Sequence, residues 1–153
     1  ELGNLQNLEV LILGENGNPG NKIYDLPASF ANLKNLKVLM AANNNFVGFP
    51  IVLASLNHLE VLNLSNNRME ELPAEIGMMT GLKSLNLMNN QLTDMPNEIA
   101  NLTNLTQFDY AGNPLPTAVQ EKIINLMTNG YVPEPAPVKK IIKKKKTYKK
   151  RKK

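Results

Sequence analysis

Pro27, Pro50, Pro73 and Pro96 stand 23 residues apart, and this fixed phase constrains the chain more than any other feature. Each proline follows a large apolar residue (Leu26, Phe49, Leu72, Met95) and is followed three places on by another (Phe30, Leu53, Ile76, Ile99). Asn44, Asn67, Asn90 and Asn113 keep the same period. Units begin at Leu5, Leu33, Leu56, Met79 and Leu102, with a first spacing of 28 and 23 thereafter. A period of this length marks a repeat architecture: one unit cannot bury its own apolar face, so neighbours stack and share a continuous core.

The unit from Leu56 to Ile76 shows what each slot does. Leu62 and Leu64 alternate with polar neighbours, as in a strand with one buried face. Asn67 falls where the chain must leave the strand. A buried carboxamide there can serve backbone groups left open by the turn. Proline presets φ and lacks a donor, which suits short helical or irregular segments on the return side better than a second sheet.

Residues 56–76 read LxxLxxLxLxxNxLxxLPxxI, and that string resembles the leucine-rich-repeat family. The variety with LPxxI on its outer side is similar to Ras-group-related repeat scaffolds and to many bacterial repeat proteins. The resemblance covers residues 1 to about 129. It implies an α/β solenoid: a right-handed horseshoe segment with a parallel concave sheet and an irregular or short-helical convex side. It also implies an asparagine ladder, expected as Asn16, Asn44, Asn67, Asn90 and Asn113.

The departures are informative. Repeat one carries five extra residues around Gly14–Asn21, rich in Gly, Asn and Pro, which predicts a loop. Ala41 takes a usual leucine slot and predicts a locally thinner core. Phe108 and Tyr110 fill strand slots of repeat five, whose proline slot holds Val119. From there a helix is expected over 117–129. Thr117 and Gln120 have capping-box spacing, Val119, Ile123, Leu126 and Met127 share one face, and Asn129-Gly130 stops it. Such a helix caps the last turn. At the other end, Leu2-Gly-Asn-Leu5 matches Ile76-Gly-Met-Met79, so the chain opens midway through a repeat. No amino-terminal cap is visible, and upstream repeats are expected. Residues 130–138 read as a Pro-rich linker and 139–153 as a disordered Lys-rich tail.

Charge is divided sharply. All thirteen acidic residues lie at or before Glu134, while eleven of the seventeen basic ones lie in 139–153. The body is therefore net −7 and the tail +11. Lys143, Lys144, Lys145, Lys146, Lys149, Lys150 and Arg151 are candidates for contact with nucleic acid or an anionic membrane surface.

In this family the concave sheet is the usual binding face, so the slots between the leucines are the candidate contacts. One column runs Val10, Val38, Val61, Ser84, Gln107. The next runs Ile12, Met40, Asn63, Asn86, Asp109. A third runs Gly14, Ala42, Ser65, Met88, Ala111. The first two pass from apolar to more polar along the chain. An apolar patch of Val10, Ile12, Val38, Met40 and Val61 is the sharpest functional signal, since exposed apolar patches mark contact sites.

Catalytic signals are weak. His58 is the single histidine, cysteine is absent, and no phosphate-binding glycine loop follows the required pattern. Neither enzyme activity, a cofactor nor a metal is expected. Lack of cysteine fits a reducing compartment; the expected setting is cytoplasmic, or nuclear in a eukaryote. The leading expectation is a monomeric scaffold or recognition module that binds a protein partner. An electrostatic adaptor acting through the tail is the second, and a recognition part of a larger repeat-containing enzyme the third.

Overall fold

A computed structural model describes residues 2–15, 17 and 20–128. Five short strands form one parallel sheet in chain order: β1 (Val10–Gly14), β2 (Val38–Ala41), β3 (Val61–Asn63), β4 (Ser84–Asn86) and β5 (Gln107–Asp109). Apart from a register shift after Ile12, where Gly14 pairs with Ala41, the register pairs repeat-equivalent residues: Val10 with Val38, Val38 with Val61, Val61 with Ser84, and Ser84 with Gln107. The 23-residue period is thus one turn of a solenoid.

The return side consists of short 3-10 helices: η1 (Leu2–Asn4), η2 (Ala28–Asn32), η3 (Ile51–Ser55), η4 (Ala74–Met78) and η5 (Asn97–Asn101). The four periodic prolines sit at the N-caps of η2 to η5 in extended conformation. Each proline needs no partner for a donor it lacks, and its carbonyl accepts the N–H three residues on, as from Phe30 to Pro27 at 2.9 Å. The apolar residue supplying that N–H is in every case buried: Phe30, Leu53, Ile76 and Ile99. Between the two layers, the inward strand residues Leu39, Leu62, Leu85 and Phe108 form the centre of the core. Ala41 is fully buried despite its small side chain, and the same turn buries Phe46 completely. Phe108 and Tyr110 end the core with their rings 5.1 Å apart.

Adjacent turns are tied by asparagine. The Asn67 Oδ1 accepts the Phe46 N–H of the turn before, while its Nδ2 donates to Ala41 of that turn at 3.1 Å and to Leu64 of its own at 2.9 Å. Asn90 and Asn113 repeat the arrangement with Met69 and Leu92 as donors. Asn44 does the same one turn earlier, serving the N–H groups of Asn21 and Ile23. The expected first member, Asn16, lies outside the described residues. Asn21, one period before Asn44, donates to the Leu13 carbonyl as the later asparagines do to theirs.

A backbone feature accompanies the ladder. Asn43, Asn66 and Asn89, each just before a ladder asparagine, adopt φ of 54–56°. Asparagine tolerates this left-handed turn, and Gly112 supplies it in the last repeat. A Cβ at Gly112 would lie 2.1 Å from the Asn89 Oδ1, so a side chain there would require the Asn89 carboxamide to shift.

The carboxyl end is closed by α1 (Thr117–Met127), which buries Ile123 and Met127 against the last turn. The capping box expected of Thr117 and Gln120 does not form. Pro116 occupies the N-cap and Thr117 is already helical; Gln120 instead reaches back through its Nε2 to the Leu115 carbonyl. Lys122 pins the helix to the preceding turn through the Asp94 carboxylate at 3.2 Å and the Met95 carbonyl. A hydrogen bond from the Met95 N–H, then Lys122, holds the Asp94 carboxyl below its ordinary range. The expected helix stop at Asn129-Gly130, the linker and the Lys-rich tail lie outside the described residues.

Asn67→Leu should cost about 1–3 kcal/mol, because the Phe46 N–H and the Ala41 and Leu64 carbonyls lose a buried partner. Chemical denaturation measures this directly. Arg68→Ala, at an exposed neighbour, should stay within about 0.5 kcal/mol of the parent.

Candidate partner-binding face

The strand register fixes the columns of the sheet's outer face. Val10, Val38, Val61, Ser84 and Gln107 lie in one row across the five strands. Ile12, Met40, Asn63, Asn86 and Asp109 lie in the next. Parallel strands are about 4.8 Å apart, so each row crosses roughly 19 Å.

Within this face the apolar residues are graded. Val10 and Ile12 are 52% and 55% exposed, and Val38, Met40 and Val61 are half-buried. The opposite end is polar: the Ser84 hydroxyl donates to Gln107, whose amide in turn donates to the Asp109 carboxylate at 3.4 Å. Asp109 is the single charged residue in the three columns. Asn86 and Met88 are half-buried, and the Asn86 Oδ1 accepts the Met88 N–H.

Asn63 differs from the other candidates. It is only 6% exposed, and its Oδ1 accepts both the N–H and the hydroxyl of Ser65. Its side chain stabilises the strand exit and offers little surface to a partner. Short polar side chains close such local turns readily, and nothing in the repeat string separates this use from a surface one.

A second feature borders the face and is not apparent from the leucine pattern. The slot just before each strand reads Glu9, Lys37, Glu60, Lys83, Thr106. Lys37 bridges Glu9 at 3.0 Å and Lys83 bridges Glu60 at 2.8 Å. The result is a ladder of alternating charge along the strand-entry edge. A hydrogen bond from Lys83 and its charge, with a smaller contribution from Lys37, lower the Glu60 carboxyl below its ordinary range. The signal was present in the sequence as alternating sign at one slot per repeat.

Apolar exposure is not confined to the sheet. Tyr24 and Val47, one period apart, and Ile51 are exposed elsewhere on the solenoid. His58 is exposed. Among the described residues, no group of three or more His, Cys, Asp or Glu could hold a metal ion, and no helix is long and apolar enough to cross a membrane.

Comparison with known proteins agrees with this geometry. Residues 57–97 match the family model for leucine-rich repeats, in two copies. A leucine-rich-repeat protein of Leptospira interrogans superposes with a TM-score of 0.78 at 35% identity, over 85% of this chain and 32% of its own. An internalin of Listeria monocytogenes superposes at 0.72 with 26% identity, over 88% of this chain and 37% of its own. A second Listeria protein, internalin C2, gives 0.64 and 26% over 75% of this chain and 47% of its own. No curated protein matches the chain. The chain is a leucine-rich-repeat protein. It spans about a third of the length of the first two solved structures. The fold generally mediates protein–protein interaction.

In Lys83→Ala, the Glu60 carboxyl should titrate at higher pH than in the parent, since its hydrogen bond and nearest positive charge are gone. An NMR pH titration of the Glu60 side-chain carbonyl reads the shift.

Proposed function

We propose that this chain is a recognition module that binds another polypeptide on the concave face of its parallel sheet. The observation that carries the reading is the apolar strip formed by the exposed Val10 and Ile12 with the half-buried Val38, Met40 and Val61. Water-exposed aliphatic surface gathered on one sheet is the kind of patch that partners bury, at roughly 25 cal/mol per Å² of apolar area. The polar end, with Asp109, supplies hydrogen-bonding specificity around that anchor. Short strands held at fixed register make the surface preformed, so little ordering entropy opposes binding. The absence of any enzymatic constellation in the sequence and the likeness to repeat proteins both support binding over catalysis.

A second reading is favoured by one observation, the division between a −7 body and a +11 segment. In it, Lys143–Lys146, Lys149, Lys150 and Arg151 hold a polyanion while the solenoid holds the protein partner.

Affinity capture with the intact chain identifies the partner. The double variant Val38→Asp, Met40→Lys should then weaken binding at least about tenfold, as loss of a buried anchor does, with a near-parental melting temperature. Val47→Asp, away from the sheet, should leave affinity unchanged. Unaltered affinity in the double variant contradicts the concave reading. For the second reading, removal of residues 139–153 should abolish binding to duplex DNA, and the parent's affinity should fall steeply with salt. DNA binding that is weak and unaffected by the deletion contradicts it.

A further inference from the structure

We propose that the outer face of η3 to η5 is the docking surface for a basic segment of this same chain, Lys139–Tyr148, which lies outside the described residues. The face belongs to the return layer, formed by residues 25–32, 48–55, 71–78 and 94–101. That layer holds five acidic residues, Asp25, Glu71, Glu75, Asp94 and Glu98, and no Lys, Arg or His. Elsewhere the solenoid mixes its signs, as in the ladder from Glu9 to Lys83 and at Arg68 and Glu70 in the turn after β3.

Aliphatic side chains stand among these carboxylates. Ile51, at the start of η3, is 54% exposed, and Met78, at the end of η4, is 60% exposed. The exposed Ala74 heads η4. The repeat does not demand this surface: the slot of Ile51 holds Asn97 two turns later, and that of Met78 holds Asn101 one turn later. The helices η3, η4 and η5 lie side by side. A Cβ on Gly77 would lie 2.7 Å from the Glu98 Cβ, so this acidic side chain borders η4 directly. Glu71, Glu75 and Glu98 are exposed. The surface is an apolar strip rimmed by negative charge.

Chemistry and reach specify the occupant. Residues 139–146 place Ile141 and Ile142 between blocks of lysine, the complement of aliphatic side chains set between carboxylates. A cation from the carboxyl end already sits on this layer: Lys122 of α1 bridges Asp94 at 3.2 Å and donates to the Met95 carbonyl. The helix α1 packs against η5. From Thr128 to Lys139 the chain spans at most roughly 40 Å, against about 10 Å for the two turns from η5 to η3. Tethering presents the segment at an effective concentration on the order of millimolar, an advantage that the same segment of a separate copy lacks. Each exposed ion pair adds little, so the hold is a sum of many contacts and is screened by salt. Docking on this side leaves the concave sheet open, and it stands whether or not the segment also holds a polyanion.

The test uses the full chain at low salt. Cysteine is absent, so Thr147→Cys takes a single nitroxide label, and paramagnetic broadening of backbone amides in NMR spectra maps where the segment lies. The signals of Ile51, Ala74 and Met78 should be lost, while those of Val38 and Val61 on the sheet persist. Combining Glu71→Lys, Glu75→Lys and Glu98→Lys should restore the lost signals, with an unmoved Val61 signal as the check on the fold. Salt at roughly 1 M, where the screening length is about 3 Å, should restore them too. Ile141→Asp with Ile142→Asp should weaken the broadening. Broadening spread equally over both faces, or unchanged in the triple variant, overturns the docking. Broadening unchanged by the two isoleucine substitutions overturns the apolar contact. Broadening of the same amides in a separate unlabelled copy, lost on dilution, overturns the occupant in favour of a second chain's segment.

Discussion

The buried carboxamide of asparagine is what the stack depends on. Strands of three to five residues contribute few ladder bonds, and the chain must leave each one through a turn whose N–H and C=O groups face the interior. Water cannot reach them, and a buried group left without a partner costs about 1–3 kcal/mol. Asn67 answers this for three segments at once, by accepting from Phe46 and donating to Ala41 and Leu64. The same side chain therefore closes its own turn and fastens it to the one before. Because each asparagine looks backward by one period, the period itself cannot drift without breaking two sets of bonds. The flat rows on the sheet's outer face are a consequence of that constraint.

Much of this architecture is legible in the residues. Proline at a fixed phase after an apolar residue announces where the return segment begins, and the structure places all four at helix N-caps. Leucine alternation gives the strands and hence the rows Val10–Gln107 and Ile12–Asp109. What escaped the pattern did so for physical reasons. The expected first ladder asparagine, Asn16, lies outside the described residues; an insertion changes the distance from the leucines but not the distance to Asn44, and counting back one period from Asn44 reaches Asn21. Thr117 and Gln120 have the spacing of a reciprocal cap, yet Pro116 already supplies the extended N-cap conformation, and Gln120 finds the Leu115 carbonyl instead. Asn63 is indistinguishable by type from Asn86, and only burial and its bonds to Ser65 reveal its different role.

Function follows from what the repeat leaves unspecified. Leucine, asparagine and proline slots are committed to folding, so variation is free only between them. In this chain the free slots of the sheet are aliphatic in the first turns and polar in the last, with a ladder of opposite charges along one border. That ladder is exposed and adds little to stability, but it fixes which signs a neighbour or partner meets at the strand-entry edge. Under the proposed reading, binding surface and scaffold are separable: substitutions in the rows are expected to alter recognition, and substitutions in the ladder of asparagines the fold.

Native-state hydrogen exchange on the intact chain tests the central claim, that carboxamides fasten successive turns into one cooperative body. The amides of Phe46, Met69 and Leu92 donate to side-chain oxygens of the following turn and belong to no strand or helix. They should exchange as slowly as the strand amides of Leu39, Leu62 and Leu85, through the same opening event. Rapid exchange at these three positions, with the strands still protected, would show that the turns are held by the sheet alone and would contradict the account.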